Sequence, residues 1–140
     1  MVHEIGIIER RLEELDQVLQ ELLRYRDLSL DEYKAELSKR WIIERGLIAA
    51  ASMIFDVADH ILSAQFGYYA ESYEGSLEAL CEKNVISNEL YNQMKGLGGF
   101  RNILIHSYID IDPQEVFENF HKALSVFPHF AQEIIIFVKL

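Results

Sequence analysis

The sequence predicts an all-α protein, an antiparallel bundle of five to six helices in a single domain that spans residues 1–140. Three observations predict this class. Apolar residues recur at steps of three and four along most of the chain, as they do on one face of an α-helix. Glycine and proline are scarce, with 7 and 2 residues among 140. No run alternates between apolar and polar residues as a half-buried strand would.

The first predicted helix runs from about Glu4 to Arg26. Its apolar positions form a narrow heptad seam, typical of a helix that packs lengthwise in a bundle. The seam consists of Ile5, Ile8, Leu12, Leu15, Leu19 and Leu22. Ser29 followed by Glu32 predicts a capping box, so a second helix should begin near Leu30. We expect it to continue to about Gln65, with a bend near Ser38.

A short third helix is predicted from about Glu74 to Lys83, after a connection marked by Gly67 and Ser72. Ser87 should cap a fourth helix that continues through Leu104. Three glycines close together weaken the middle of this fourth helix, because each costs about 1 kcal/mol relative to alanine. They are Gly96, Gly98 and Gly99, and they indicate either tight helix packing or the close approach of a ligand.

The last predicted helix begins at Asp112 and Pro113, an N-cap residue followed by proline at the first helical position. It should reach toward Leu140. Pro128 lies within it and should kink or divide the helix, which would give six helices instead of five.

Composition indicates the cellular compartment and whether a metal site is expected. The single cysteine, Cys81, forms no internal disulfide and is typical of a reducing compartment. We find neither a secretory leader nor an apolar run of about 18 residues, so a cytoplasmic protein without a membrane span is expected. His60 lies one turn from Asp56, but further ligands are not evident, so we expect no metal and no cofactor.

The net charge of −10 opposes general affinity for nucleic acids, which are bound through lysine and arginine. Any contact with RNA must therefore use a local basic patch or the field of a dimer cleft. The segment 34–45 is the best candidate for such a patch, with Arg40 and Arg45 as its candidate RNA contacts. A solvated helix face explains the same segment equally well.

A dense polar group interrupts an otherwise apolar helix, in the run from Arg101 to Tyr108. His106 can accept or donate a proton near neutral pH. Arg101 carries a planar fork suited to phosphate oxygens. Asn102 adds a further polar group, and Tyr108 adds a ring that can stack on a base. An Arg-x4-His pair alone is common and is usually structural.

The spacing constrains how these residues could act together. At about 100° per residue, Arg101 and His106 lie about 140° apart on a straight helix. Either the helix deforms near His106, or a second copy of the chain supplies the missing groups. A two-fold interface would bring two arginines and two histidines into one cleft.

The pattern R-x4-H-x-Y, present as Arg101-NILI-His106-Ser-Tyr108, resembles the signature of HEPN proteins, and more closely that of the HepT toxin family. Three other stretches are similar to that family: the helix from Arg40 to Ile61, the segment from Tyr73 to Ile86, and GFRNILIHSYIDID. Together they span about half of the chain.

The resemblance implies a HEPN-like bundle that dimerises with its two motifs facing each other. It implies a metal-independent endoribonuclease, the toxin of a toxin–antitoxin pair, that uses the RNA 2′-hydroxyl as nucleophile. His106 would transfer protons, Arg101 would bind the scissile phosphate, Asn102 would orient the site and Tyr108 would contact RNA. The implied partner is an MntA-like nucleotidyltransferase antitoxin, which would attach AMP to Tyr108 and so block the cleft.

Two alternatives remain open at this point. The chain could be a non-catalytic HEPN module that binds a nucleotide or docks a nucleotidyltransferase. It could also be a purely structural helical dimer, in which Arg101 bridges to an acidic group such as Glu44 or Asp59.

Overall fold

The computed structural model describes residues 2–107 and 111–140, with side chains from residue 5 onward within those ranges. These residues form seven helices and no strand, which confirms the all-α class. The helices are α1 (Val2–Leu23), α2 (Leu30–Ala35), α3 (Leu37–Phe66), α4 (Tyr73–Glu82), α5 (Asn88–Met94), α6 (Leu97–His106) and α7 (Pro113–Lys139). The count exceeds the predicted five to six because two of the predicted helices are each divided.

Helix α1 packs along α3 through its heptad seam. Five of the six predicted seam residues are buried: Ile8, Leu12, Leu15, Leu19 and Leu22. Gly46 of α3 lies directly against Leu22, where a Cβ atom would come within 2.6 Å of the leucine Cδ2. This contact shows how closely the two helices approach each other.

The predicted helix from Leu30 to Gln65 is wrong as a single element. The capping box at its start is present, since the Ser29 side chain accepts from the Glu32 N–H and Glu32 accepts from the Ser29 N–H. However, α2 ends at Ala35, and Glu36 has an extended backbone with φ −111° and ψ 96°. On a straight helix the Cα atoms of Tyr33 and Glu44 would lie about 16 Å apart. Their side chains meet at 3.1 Å, which requires the chain to turn.

Helix α3 is the centre of the bundle and packs against α1, α2, α4, α6 and α7. Ten of its residues are buried. Helix α3 is long and apolar enough to cross a membrane, judged by length and composition only. No such helix was expected from the sequence, because no continuous apolar run of about 18 residues occurs. Half of its most apolar window is buried inside the protein, as in the core helix of a globular fold, so this is weak evidence for a span.

The predicted fourth helix is divided in two. Ser87 caps its start as expected, accepting from the Leu90 N–H. Helix α5 then ends at Met94, and Gly96 adopts a left-handed backbone with φ +90° before α6 begins. Glycine takes this conformation without the steric penalty that a side chain incurs, so the division falls at a residue suited to it.

Helix α7 begins at the predicted cap, where the Asp112 side chain accepts from the Gln114 N–H. Pro128 does not divide it, because the helix is continuous from Pro113 to Lys139. Buried residues on both sides of the proline, Phe127 and Phe130 among them, pack into the core and stabilise the helix before and after it.

Candidate functional site

Three of the four motif residues lie on α6, which positions Arg101, Asn102 and His106. The helix ends at His106, and Ser107 follows with an extended backbone. Tyr108 lies outside the described residues.

The Arg101 side chain is partly buried and is held by two neighbouring helices. Its Nε donates to the Ser52 Oγ of α3 at 3.1 Å. Its guanidinium carbon lies 4.6 Å from the centre of the Tyr73 ring, at the start of α4. The Tyr73 ring in turn stacks on Phe55 of α3, with centroids 4.6 Å apart.

Both of these partners of Arg101 are uncharged, and no carboxylate among residues 5–107 and 111–140 forms an ion pair with the guanidinium. In the structural alternative, Arg101 would bridge to Glu44 or Asp59, but neither carboxylate forms an ion pair with it. Asp59 accepts from the Ser76 hydroxyl at 2.7 Å, and Glu44 accepts from the Tyr33 hydroxyl at 3.1 Å. A partly buried arginine that faces neutral groups is suited to bind an anion from solution.

Asn102 and His106 lie one turn apart on the exposed face of α6. Ile103 shares this face and is 40% exposed, so its side chain does not anchor the segment in the core. Leu104 does anchor it, with only 7% of its surface exposed. The helix remains regular up to His106, so the described geometry gives no deformation that would turn His106 toward Arg101.

Helix α6 is fixed at its N-terminus by a carboxylate from another helix. Glu74 Oε1 accepts from the Gly98 N–H at 2.8 Å, and Oε2 accepts from the Gly96 N–H at 3.2 Å. Gly98 fits this contact closely, because a Cβ atom there would lie 3.0 Å from the Tyr73 Cβ and 3.1 Å from the Glu74 nitrogen. Gly98 therefore serves tight packing, one of the two roles expected of the three glycines, whereas a Cβ atom at Gly96 or Gly99 would meet nothing within 4 Å.

Sequence reasoning missed Ser52, Tyr73 and Glu74. Each contacts the motif helix from 22 or more residues away in the chain. No local pattern marks such contacts. The only available signal was the cluster of glycines, which indicated that something approaches α6 closely.

The two predicted basic contacts have different surroundings. Arg40 is about three-quarters buried, with its Nε 3.9 Å from Glu44 Oε2 and its guanidinium carbon 5.8 Å from the centre of the Tyr33 ring. Burial and the adjacent Glu44 carboxylate raise the pKa of Tyr33 well above its usual value of 10. Arg45 is exposed. Of the two, Arg45 is the one accessible to a ligand.

One face of α3 is left largely uncovered by the other helices. We call it the α3 stripe, and it consists of Trp41, Arg45, Ala49, Ser52 and Asp56. These residues share one side of the helix by their spacing. Trp41 is 62% exposed and borders an apolar groove of about 570 Å³ between α1 and α3. Because Ser52 binds Arg101, the stripe leads directly to the candidate site.

A second crevice of about 480 Å³ lies between α1 and the C-terminal half of α3, beside Asp56, Asp59 and His60. The His60 Nε2 is buried there without a hydrogen-bond partner. Within the described ranges, no group of three or more His, Cys, Asp or Glu side chains is arranged to hold a metal ion.

Comparisons with known proteins agree with this architecture. The family profile described as Ribonuclease HepT-like matches residues 7–134. The tRNA nuclease HepT of Aphanizomenon flos-aquae is 35% identical over 129 residues, which cover 91% of this chain and 87% of that protein.

Two solved structures are also similar. The tri-AMPylated Shewanella oneidensis HEPN toxin in complex with MNT antitoxin is 25% identical, with a TM-score of 0.70 over 95% of this chain and 94% of that one. The cytosolic protein YutE of Bacillus subtilis, of unknown function, has a TM-score of 0.79 at 16% identity, over 96% of this chain and 90% of that one. The second likeness concerns the fold alone.

Proposed function

Because the chain belongs to the ribonuclease HepT-like family, we infer that it is an endoribonuclease, and we propose that Arg101 and His106 carry the reaction. The observation that most directly supports a catalytic role for Arg101 is the set of contacts that its side chain makes. The guanidinium is held by a hydroxyl and a ring, and its charge remains available for a phosphate.

The proposed reaction is a transfer of the phosphoryl group within the RNA strand. The 2′-oxygen attacks the adjacent phosphorus, the bond from phosphorus to the 5′-oxygen breaks, and a cyclic 2′,3′-phosphate and a 5′-hydroxyl result. His106 takes the proton from the 2′-hydroxyl, and the leaving 5′-oxygen gains a proton from the resulting imidazolium or from water. Arg101 stabilises the negative charge that develops on the phosphate oxygens. Because the nucleophile belongs to the substrate, this route needs no metal-activated water.

A homodimer would supply the arrangement that one α6 helix does not. Arg101 and His106 diverge on a regular helix, so a cleft between two copies is the simplest way to bring both to one phosphate. The exposed α3 stripe beside Arg101 supports such an interface. An antiparallel pairing of two α3 helices, about an axis between Ala49 and Ser52, would place Arg45 opposite Asp56 of the partner subunit. That pairing joins opposite charges on either side of a centre made of small residues.

The proposed substrate class is tRNA, as the name of the Aphanizomenon flos-aquae relative states for that protein. In a protein of net charge −10, the approach of RNA depends on the arginines gathered in the cleft. RNA contact by Arg40 and Arg45 stays a prediction, with Arg45 the more accessible residue. Asn102, exposed on the face that carries His106, is proposed to orient the site.

The proposed regulation is by an MntA-like nucleotidyltransferase antitoxin in the cytoplasm. It is supported by the Shewanella oneidensis toxin, which is described as AMPylated and in complex with its antitoxin. Tyr108 follows His106 by two positions and is proposed as the residue that accepts AMP. The added phosphate would bring negative charge to the cleft that binds RNA.

A non-catalytic module that docks a nucleotidyltransferase is the second candidate. The observation that favours it is the acidic net charge, which opposes RNA binding. In that case Tyr108 would be modified by a partner, but no RNA would be cut.

The deciding experiment is cleavage of labelled total tRNA in excess EDTA, by wild type and His106→Ala. The matched control is His129→Ala, which removes an exposed histidine of α7. We expect cleavage by wild type and the control, ending in cyclic phosphates, and a loss of at least about 100-fold in His106→Ala. Dependence on added metal, or equal cleavage by His106→Ala, would contradict the mechanism. An inactive wild type that still accepts AMP would favour the docking module.

A further inference from the structure

The first turn of α4 contacts the motif helix through two consecutive side chains. Tyr73 lies against the Arg101 guanidinium, and Glu74 accepts from two backbone N–H groups at the start of α6. The turn is itself anchored, because Ser72 caps it and Ser76 donates to Asp59 of α3. Its position relative to the core is therefore fixed from several sides.

The Arg101 guanidinium lies over the Tyr73 ring, with its carbon 4.6 Å from the ring centre. The ring is itself stacked on Phe55 with an interplanar angle of 30°, so a buried residue of the core supports it. Arginine has a long side chain with many rotamers, and ordering it costs up to about 2 kcal/mol. The ring below the guanidinium and the Ser52 hydroxyl at Nε reduce that freedom before any ligand binds. Both contacts leave the two terminal nitrogens of the fork without an acceptor among the described residues.

Glu74 fixes the base of the same helix. The N-cap of α6 is Gly96, which has no side chain to satisfy the first N–H groups. Glu74 supplies both acceptor oxygens from α4, at 2.8 and 3.2 Å. The Gly98 N–H donates to Glu74, and Gly98 precedes Arg101 by three residues. The Glu74 contact and the Tyr73 contact therefore act on the same turn of α6.

We propose, on the basis of the nuclease function proposed above, that Tyr73 and Glu74 are positioning residues for the reaction. Tyr73 sets the orientation of the Arg101 fork toward the scissile phosphate, and Glu74 sets the position of the helix that carries it. Neither needs to touch RNA. Their effect on rate passes through Arg101.

The kinetic test compares Tyr73→Leu with Tyr73→Phe under single-turnover conditions. Removing the ring should lower the cleavage rate about 10- to 100-fold with little change in RNA affinity, because misplacement of a catalytic group by about 1 Å can cost 10²-fold. Tyr73→Phe keeps the ring, so its rate should stay within about twofold of wild type. In an Arg101→Ala background, Tyr73→Leu should cause no further loss. An equal loss in both backgrounds would overturn the proposal, since it would indicate general disruption.

A second measurement does not depend on cleavage. The Arg101 Nε–H signal in a ¹⁵N NMR spectrum, assigned by its absence in Arg101→Ala, should be displaced by the ring current of Tyr73. Tyr73→Leu should move it toward the signals of exposed arginines, and Tyr73→Phe should not. A signal that starts at the exposed position and does not respond to Tyr73→Leu would overturn the proposal. If wild type proved inactive on RNA but the displacement were present, the proposed function would fail while the contact itself stood.

Glu74 is tested with a matched control on the same helix. Glu74→Ala should lower the cleavage rate about tenfold and shift the amide signals of Gly96 and Gly98, because α6 loses its cap. Glu78→Ala removes an exposed carboxylate one turn later and should change neither. Equal effects of the two substitutions on rate would show that Glu74 acts only through overall charge, which would overturn its positioning role.

Discussion

Arg101 and Tyr33 show how differently this bundle treats two polar side chains in its interior. Arg101 contacts the Ser52 hydroxyl and the Tyr73 ring, both uncharged, so its positive charge can bind an anionic ligand. Tyr33 is fully buried, and its hydroxyl donates to the Glu44 carboxylate. The first arrangement prepares a group for a ligand, whereas the second uses a hydrogen bond to hold α2 against α3. The two therefore predict different consequences of substitution.

The Tyr33 hydroxyl should stabilise the fold at neutral pH and lose this effect in alkali. Burial and Glu44 raise the pKa of Tyr33 in the folded state above its usual value of 10. Its contribution is therefore fully present below pH 10 and is lost as the pH rises beyond it, by about 1.4 kcal/mol for each pH unit. Tyr33→Phe removes both the hydrogen bond, worth about 1 kcal/mol, and this titration.

The measurement is the free energy of unfolding in urea from pH 8 to pH 11, at one protein concentration. Wild type should exceed Tyr33→Phe at pH 8, and the difference should shrink or reverse above pH 10. Tyr69→Phe, which alters a ring that is 77% exposed, should follow wild type throughout. A constant difference between wild type and Tyr33→Phe over the whole range would contradict the assignment.

At the scale of the helices, the sequence predicted the elements that carry local signals. The caps at Ser29, Ser87 and Asp112 are where their patterns indicated, because a cap is formed within a few consecutive residues. A bend near Ser38 was predicted within one continuous helix, whereas the chain breaks at Glu36, where neither glycine nor proline marks a helix end. The break accompanies the hydrogen bond from Tyr33 to Glu44, a tertiary contact that no local pattern encodes.

The motif could be found from the sequence because its residues are close together in the chain. The side chains that contact it could not be found, because they lie on other helices. Arg101, Asn102 and His106 are close together in the chain, and their spacing alone showed that they diverge on a helix. Ser52 and Glu74 reach α6 from other helices, so their part depends on the packing. Pro128 was predicted to kink or divide the last helix, and the division does not occur, because α7 continues through it with buried residues on both sides.

The glycine pair at the start of α6 offers a matched test of helix packing. Gly98→Ala should destabilise the fold by about 1 to 3 kcal/mol, because the new Cβ would lie 3.0 to 3.3 Å from atoms of Tyr73 and Glu74. Gly99→Ala meets nothing within 4 Å and should be neutral or stabilise by up to about 1 kcal/mol. Urea unfolding of both variants checks this, and equal effects would show that α4 does not constrain α6.

Pro128 tests how much of α7 is held by tertiary packing. Its ring removes one backbone hydrogen bond and crowds the preceding turn, at a cost of about 3 kcal/mol in a helix interior. Pro128 is exposed, so Pro128→Ala should raise the free energy of unfolding by about 1 to 3 kcal/mol without loss of core contacts. The control is the adjacent exposed position, His129→Ala, which should change stability by less than about 0.5 kcal/mol. A destabilised Pro128→Ala protein would mean that the proline has a role in packing.

At the scale of the whole molecule, charge and assembly are linked. A protein with net charge −10 repels the RNA backbone on average. Two copies that pair through the α3 stripe would bring their Arg101 side chains to one cleft, where the local potential can differ from the average. The acidic surface outside the cleft would then limit binding to RNA that fits it. The catalytic proposal therefore depends on the dimer.

The last prediction concerns that dimer directly. Ala49→Glu places a charge in the middle of the α3 stripe, beside Ser52, and should convert the dimer into a monomer and abolish cleavage. Trp41 is the only tryptophan of the chain, so its fluorescence should shift to the red when the interface opens. Ile136→Glu introduces the same charge at a position of α7 that is 62% exposed, and should leave mass and activity unchanged. Light scattering at micromolar concentration measures the mass. A wild-type monomer that cleaves RNA would contradict the two-chain site, because one α6 helix would then have to bring both Arg101 and His106 to the phosphate.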